Sequence, residues 1–278
     1  TFNYSAVSYC ANALDQSPTM TGLAGGSFLI APAVGLPINT IGGVLNVSGS
    51  TPGMYTVTYT SNGPCPTTSN ETVTIDALDD ASYSYSSASY CLNATDPLAA
   101  VTGLAGGVFS SAPAGLIMNS ATGEIDLSAS TPGSFTITYT TSGPCSNSSD
   151  VSVTIDPLDD ATFNYGATSY CVNSIDPIPV ITGLAGGTFA SSPAGMVINT
   201  ATGEIDVSSA TPGLYSISYT TNGSCPNTSS VSVTIDPMDD ATFSYSAPTY
   251  CVVDPDPNPI ITGLIGGGFS SSPAGLVI

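Results

Sequence analysis

The chain has 278 residues, of which 20 are Asp or Glu and none is Lys, Arg or His, so its formal charge is −20. No salt bridge between its side chains can form, and nucleic acid and anionic membrane surfaces, both bound through Lys and Arg, are excluded as partners. Catalysis lacks a histidine or lysine base and an arginine to hold an oxyanion, and carboxylate-only hydrolysis needs two differently tuned carboxylates in one cleft, whereas these are copied along the chain.

Hydrophobic residues make up 41% of the sequence, rich in Val, Ile, Leu, Tyr and Phe, which is enough to build cores and argues against disorder. No apolar run approaches the roughly 20 residues of a membrane helix, so direct membrane insertion is not expected. Thr1 at the start and Ile278 in mid-repeat lead to the expectation of a mature piece of something longer, with leader and anchor elsewhere.

The cysteines set a period. Cys10, Cys91, Cys171 and Cys251 form one series, spaced 81, 80 and 80; Cys65, Cys145 and Cys225 form the other, spaced 80 and 80. The extra residue lies in APAVGLPIN (31 to 39), which stands against APAGLIMN (112 to 119). The predicted repeats are 1–80, 81–160 and 161–240, with a partial fourth at 241–278.

In chain order, each repeat opens on an aromatic-rich segment ending in Tyr-Cys, such as FNYGATSYC (163 to 171). TGLAGG (102 to 107) is a glycine break between two further strands, and NSATGE (119 to 124) is a turn. TPG (131 to 133) fits a type II turn, with Pro132 at its second position and Gly133 supplying positive φ. In SFTITYT (134 to 140) Phe135, Ile137 and Tyr139 alternate with threonines, and in DVSVTID (150 to 156) Val151, Val153 and Ile155 alternate with polar residues. Both are half-buried antiparallel strands. Six or seven short strands in about 80 residues, with no 3.6-residue period, predict an all-β tandem array of small Ig-like β-sandwich domains. Tyr59, Tyr139 and Tyr219, with Tyr55, Phe135 and Tyr215, fall on core faces rather than forming a carbohydrate-stacking surface. Sequons at Asn93 and Asn147 permit glycosylation, though a chain this rich in Ser, Thr and Asn produces them by chance.

Seven cysteines without a C-x-x-C pair or histidine point to disulfides rather than metal. One scheme staples each repeat internally: Cys10 with Cys65, Cys91 with Cys145, Cys171 with Cys225, and Cys251 with a partner beyond the chain. The other crosses the junctions: Cys65 with Cys91, Cys145 with Cys171, and Cys225 with Cys251. The internal scheme is the expectation, because a small domain gains about 4 kcal/mol from such a staple. It requires the first cysteine to return to the pole of the loop holding the second, so FNYGATSYC cannot be one straight strand.

Aspartates recur at each junction: Asp76, Asp79 and Asp80; Asp156, Asp159 and Asp160; Asp236, Asp239 and Asp240. They are either calcium ligands that stiffen the joint or a solvated, self-repelling linker in which Pro157 and Pro237 restrict bending. Their spacing is not that of an EF-hand loop.

PAGLIMNSATGEIDLSASTPGSFTITYT (113 to 140), repeated as PAGMVINTATGEIDVSSATPGLYSISYT (193 to 220), resembles the bacterial Ig-like repeat. With an aromatic-rich start ending in YC and a GPC or GSC near its end, the whole unit is similar to the tandem repeats of giant surface adhesins of gliding Bacteroidetes exported by the type IX system (SprB-type). The resemblance implies an extracellular, cell-surface stalk, neighbouring repeats of the same chain as partners, and contact with export or motility machinery during gliding. The first repeat departs from it, with Gly43, Val44 and Asn46 where the second has Gly123, Glu124 and Asp126. The alternative is a filament or sheath subunit that exchanges strands between chains. The missing lysines rule out Lys to Asn or Asp isopeptide crosslinks.

Overall fold

The structure, a computed structural model, describes residues 1–273, 276 and 278. It is all-β, with no helix among the described residues. The chain divides into two compact units, Thr1–Pro157 and Leu158–Ile278. The first holds two hydrophobic cores, one drawn from residues 2–75 and one from 81–155; the second holds a core drawn from 161–235. The chain is thus a tandem array of β-sandwich domains.

The second repeat shows the plan. Alternation in GSFTITYT and SSDVSVTID makes Gly133–Thr140 and Ser148–Asp156 an antiparallel hairpin. Val108–Ala112 adds on one side, antiparallel to Gly133–Thr140. On the other side Ser89–Cys91 pairs in parallel with the end of the hairpin, Ser89 opposite Thr154, Tyr90 opposite Ile155 and Cys91 opposite Asp156. Two-residue ladders, Tyr83–Ser84 with Ala100–Val101 and Ile117–Met118 with Ile125–Asp126, cover the apolar face of this sheet. The other two complete repeats build the same four-stranded sheet.

Phe135, Ile137 and Tyr139 from one long strand and Val153 and Ile155 from the other are buried with Tyr83, Phe109, Ile125 and Leu127. The Phe109 and Tyr139 rings lie 4.6 Å apart by centroid, and Tyr83 meets Phe109 edge-on at 5.3 Å. Burial of a phenol demands hydrogen bonds. The Tyr139 hydroxyl donates to Leu104 O (2.6 Å) and accepts from Gly107 N (2.9 Å), while Tyr85 donates to Gly123 O (2.5 Å). Tyr59 and Tyr219 repeat the Tyr139 pattern, donating to Leu23 O and Leu184 O and accepting from Gly26 N and Gly187 N. The aromatic pairs therefore belong to the core. Burial also pushes the Tyr83 hydroxyl up to about 12.

Two glycines are dictated by contact. At Gly123 (φ +72°), the turn in NSATGE, a Cβ would meet the Phe109 ring at 2.9 Å; at Gly107 it would lie 2.2 Å from Thr140 O. Gly133 has the expected positive φ but does not sit in a type II turn. Its φ of +155° is far from the roughly +80° of a type II turn, because the residue already opens the long strand.

In the first repeat the ladder at Ile117 is replaced by isolated bridges from Leu45 to Gln16 and Ile38, where the sequence carries its insertion and loses the Glu124, Asp126 pair. In the partial fourth repeat Phe243–Ser244 pairs with Ile260–Ile261, and Phe243 is 50% exposed against 4% for its equivalent Phe163.

Tyr139→Phe removes a hydroxyl that serves as both donor and acceptor and strands Leu104 O and Gly107 N. It should cost about 1–3 kcal/mol, read as a lower midpoint in chemical denaturation with strand content unchanged by circular dichroism.

Candidate functional site

The chemistry-bearing residues gather at the junction of successive repeats, which is built from two poles. In the first repeat Gly53–Thr60 and Thr68–Asp76 form the long hairpin. Its loop, with Cys65, lies at the pole where the chain enters, and Asp76 at the pole where it leaves. Ser8–Cys10 pairs in parallel with that last strand, placing Cys10 opposite Asp76, and Ala11 N donates to Asp76 O at 3.0 Å. Thr68 to Asp76 spans roughly 26 Å, whereas disulfide Cα atoms lie within about 7 Å. Cys10 and Cys65 are thus at opposite ends of their own domain.

The internal pairing scheme is corrected accordingly. Cys10 is disulfide-bonded to Cys145 of the next repeat, with Cα atoms 5.3 Å apart, because Cys145 sits in the entry-pole loop of the second domain, where the first domain's exit pole arrives. Neither Cys10 with Cys65 nor Cys91 with Cys145 forms, and the junction scheme of Cys65 with Cys91 and Cys145 with Cys171 fails too. Cys91 and Cys225 each take part in a disulfide, whereas Cys65, Cys171 and Cys251 are exposed thiols, so Cys171 with Cys225 and Cys225 with Cys251 are excluded. FNYGATSYC does break, as expected, but into strands of different sheets: Phe163–Asn164 pairs with Val180–Ile181, and Ser169–Cys171 pairs in parallel with Thr234–Asp236. The break carries the cysteine to the exit pole, not back to the loop.

The linker is clamped by the same loop. Asp79 N donates to Cys145 O (2.9 Å), Thr141 Oγ1 donates to Asp79 Oδ2 (2.9 Å), and Asn147 Nδ2 donates to Asp79 O (3.1 Å). Thr141 is 4% exposed, so this is an enclosed contact. A Cβ at Gly143 would lie 2.5 Å from Asp79 Oδ2, which keeps that position free of a side chain. Asp80 Oδ1 accepts from Ser82 N (2.9 Å) and Ser82 Oγ (2.5 Å), and these bonds, the hydroxyl first, hold its carboxyl below the usual range. Its carbonyl accepts from Leu104 N at 2.7 Å. Asp79 and Asp80 therefore belong to the domain that follows them, and the boundary falls just after Asp76.

The third repeat repeats the clamp: Asp159 N to Cys225 O (2.8 Å), Thr221 Oγ1 to Asp159 Oδ2 (2.9 Å) and Asn227 Nδ2 to Asp159 O (3.0 Å). Asp160 is capped in the same way by Thr162, and Asp240 by Thr242. The backbone carbonyls of Asp156 and Asp236 accept from Leu92 N (3.3 Å) and Val172 N (3.0 Å), and Asp239 is exposed. Among the described residues no group of three or more His, Cys, Asp or Glu is placed to hold a metal ion. Nor is the linker merely solvated, since Asp79 and Asp159 are held by side chains of the following domain. Of the residues that do the holding, the sequence marks Asn147 only as a sequon and Thr141, Thr221 and Asn227 not at all; their recurrence at fixed offsets around Cys145 and Cys225 is the available signal.

No family model matches the chain, and no curated protein matches it. Among solved structures, mouse cadherin-23 EC22-24 is 13% identical with a TM-score of 0.31, covering 86% of this chain and 99% of that one. Protocadherin gamma B2 domains 3-6 is 12% identical with a TM-score of 0.32, covering 91% and 77%. Drosophila N-cadherin EC1-4 is 11% identical with a TM-score of 0.26, covering 85% and 75%. At such scores these likenesses carry no argument about function, and the tandem all-β architecture rests on the chain's own sheets and cores.

Asp79→Ala removes the nearer acceptor of the buried Thr141 hydroxyl, leaving it Asn147 O at 3.3 Å, and should destabilise the second repeat by about 1–2 kcal/mol, seen as a lower denaturation midpoint. Calcium addition or chelation should leave the wild-type midpoint unchanged, because one carboxylate oxygen of each of Asp79 and Asp80 is engaged by a protein donor and no three acidic, Cys or His groups among the described residues converge on a site.

Proposed function

We propose that the chain is a structural spacer segment of a long extracellular adhesin, whose tandem domains hold a binding element away from its attachment point. The observation that carries this reading is the joint between the first two repeats, where the Cys10–Cys145 disulfide and the Asp79 clamp tie each side of the linker to the next domain. A joint tied at two points resists bending in a way a free linker does not. Disulfides belong to oxidising compartments, which supports an extracellular location, and a chain without Lys, Arg or His offers little for catalysis. The resemblance to SprB-type repeats extends the proposal to cell-surface attachment, type IX export and gliding motility.

Small-angle scattering tests the spacer reading. A compact protein of 278 residues has a radius of gyration of about 19 Å; a spacer should far exceed it at physiological salt and keep that size on raising salt, since the joints rather than charge repulsion hold it open. A value near 19 Å would refute the reading.

A further inference from the structure

The Cys10–Cys145 disulfide joins positions 135 residues apart, and almost everything that makes the first two domains stable lies between them. That segment holds Phe28, Leu45, Tyr55 and Val57 of the first core and Phe109, Ile125, Phe135 and Tyr139 of the second. It also holds the exposed start of the linker at Ala77. Outside it, up to the end of the compact unit, lie Phe2–Asn3 and Ser8–Cys10 on one side and Ser148–Asp156 on the other.

We propose that this disulfide is a mechanical shunt: tension entering at Thr1 passes through Cys10 to Cys145 and leaves along Ser148–Asp156, bypassing the linker and all of the two cores except Phe2, Tyr4, Val153 and Ile155, which lie on the loaded strands or beside them. The covalent path is fixed by connectivity alone. Pulling the ends of this unit stretches only residues 1–10 and 145–157, and unfolding of the bypassed segment cannot lengthen it. The strands left under load are held in ladders: Ser8–Cys10 against Thr74–Asp76, and residues 148–155 of Ser148–Asp156 against Gly133–Thr140, so they are loaded in shear. The same connectivity keeps the two pieces covalently joined after a single backbone cut anywhere between Cys10 and Cys145. The inference draws on the spacer reading only for the source of the load.

The test uses the full chain with handles at Thr1 and Pro157 in a single-molecule pulling experiment. Without reductant the wild type should extend by no more than about 70 Å, and reductant, or the C10S or C145S variant, should add about 470 Å. Extension to the full contour without reductant would overturn the proposal. Should the variants fail to fold, a protease site placed at Ala77 in the otherwise native chain decides independently of mechanics. After cleavage a single band of uncut mass without reductant, splitting in two with it, supports the shunt; two bands without reductant overturn it. Neither result depends on whether scattering finds the chain extended.

Discussion

The structure turns on the parallel pairing of a three-residue strand with the last strand of its own domain. Ser8–Cys10 lies beside Thr74–Asp76, and Ser89–Cys91 beside Thr154–Asp156. An antiparallel strand arriving from the same short segment would end at the entry pole and deliver its cysteine to the hairpin loop of its own domain. Parallel pairing carries the cysteine to the exit pole, beside the residue from which the chain departs. A staple that would close one domain becomes one that joins two, and a loop of 135 residues is closed, with a chain-entropy contribution of about 5 kcal/mol. The clamp on Asp79 uses the same encounter, since the loop that presents Cys145 also presents Thr141 and Asn147.

A chain with no basic side chain must satisfy its carboxylates by other means, and it does so with backbone amides and hydroxyls. Asp96 Oδ1 accepts from Leu127 N at 2.9 Å, Asp176 Oδ1 from Val207 N at 3.0 Å, and Asp126 Oδ1 from Ala129 N at 3.0 Å with the Ser128 hydroxyl beside it. In the first repeat Glu71 accepts from Tyr4 N at 3.1 Å. Among the described residues no buried side-chain nitrogen or oxygen lacks a partner. The abundance of Ser and Thr is therefore structural: hydroxyls supply donors that Lys and Arg supply elsewhere, at short reach and without charge. Such contacts are local or fixed by register, so each copied repeat inherits them.

Much of the fold was legible because its signals are local. Alternation in SFTITYT and DVSVTID gives the long hairpin and names Phe135, Ile137, Tyr139, Val153 and Ile155 as core, and spacing of the cysteines gives the repeat. The positive φ of Gly133 was legible but the turn type was not, because Thr-Pro-Gly suits a turn and a strand start equally. The cysteine partners were misread for a different reason: composition and spacing do not reveal which pole a three-residue strand reaches. The role of the junction aspartates was hidden likewise, since Thr141 and Asn147 lie 62 and 68 residues from Asp79 and nothing in the linker itself points to them.

The cross-domain disulfide is the centre of the account, and the five methionines allow its direct test. Free thiols are alkylated, the chain is cleaved after Met20, Met54, Met118, Met196 and Met238 with cyanogen bromide, and the fragments are separated without reductant. Fragment 1–20 should be recovered disulfide-linked to fragment 119–196, which carries Cys145, and released from it by reduction. Recovery of 1–20 linked to fragment 55–118, which carries Cys65 and Cys91, would contradict the joint described here.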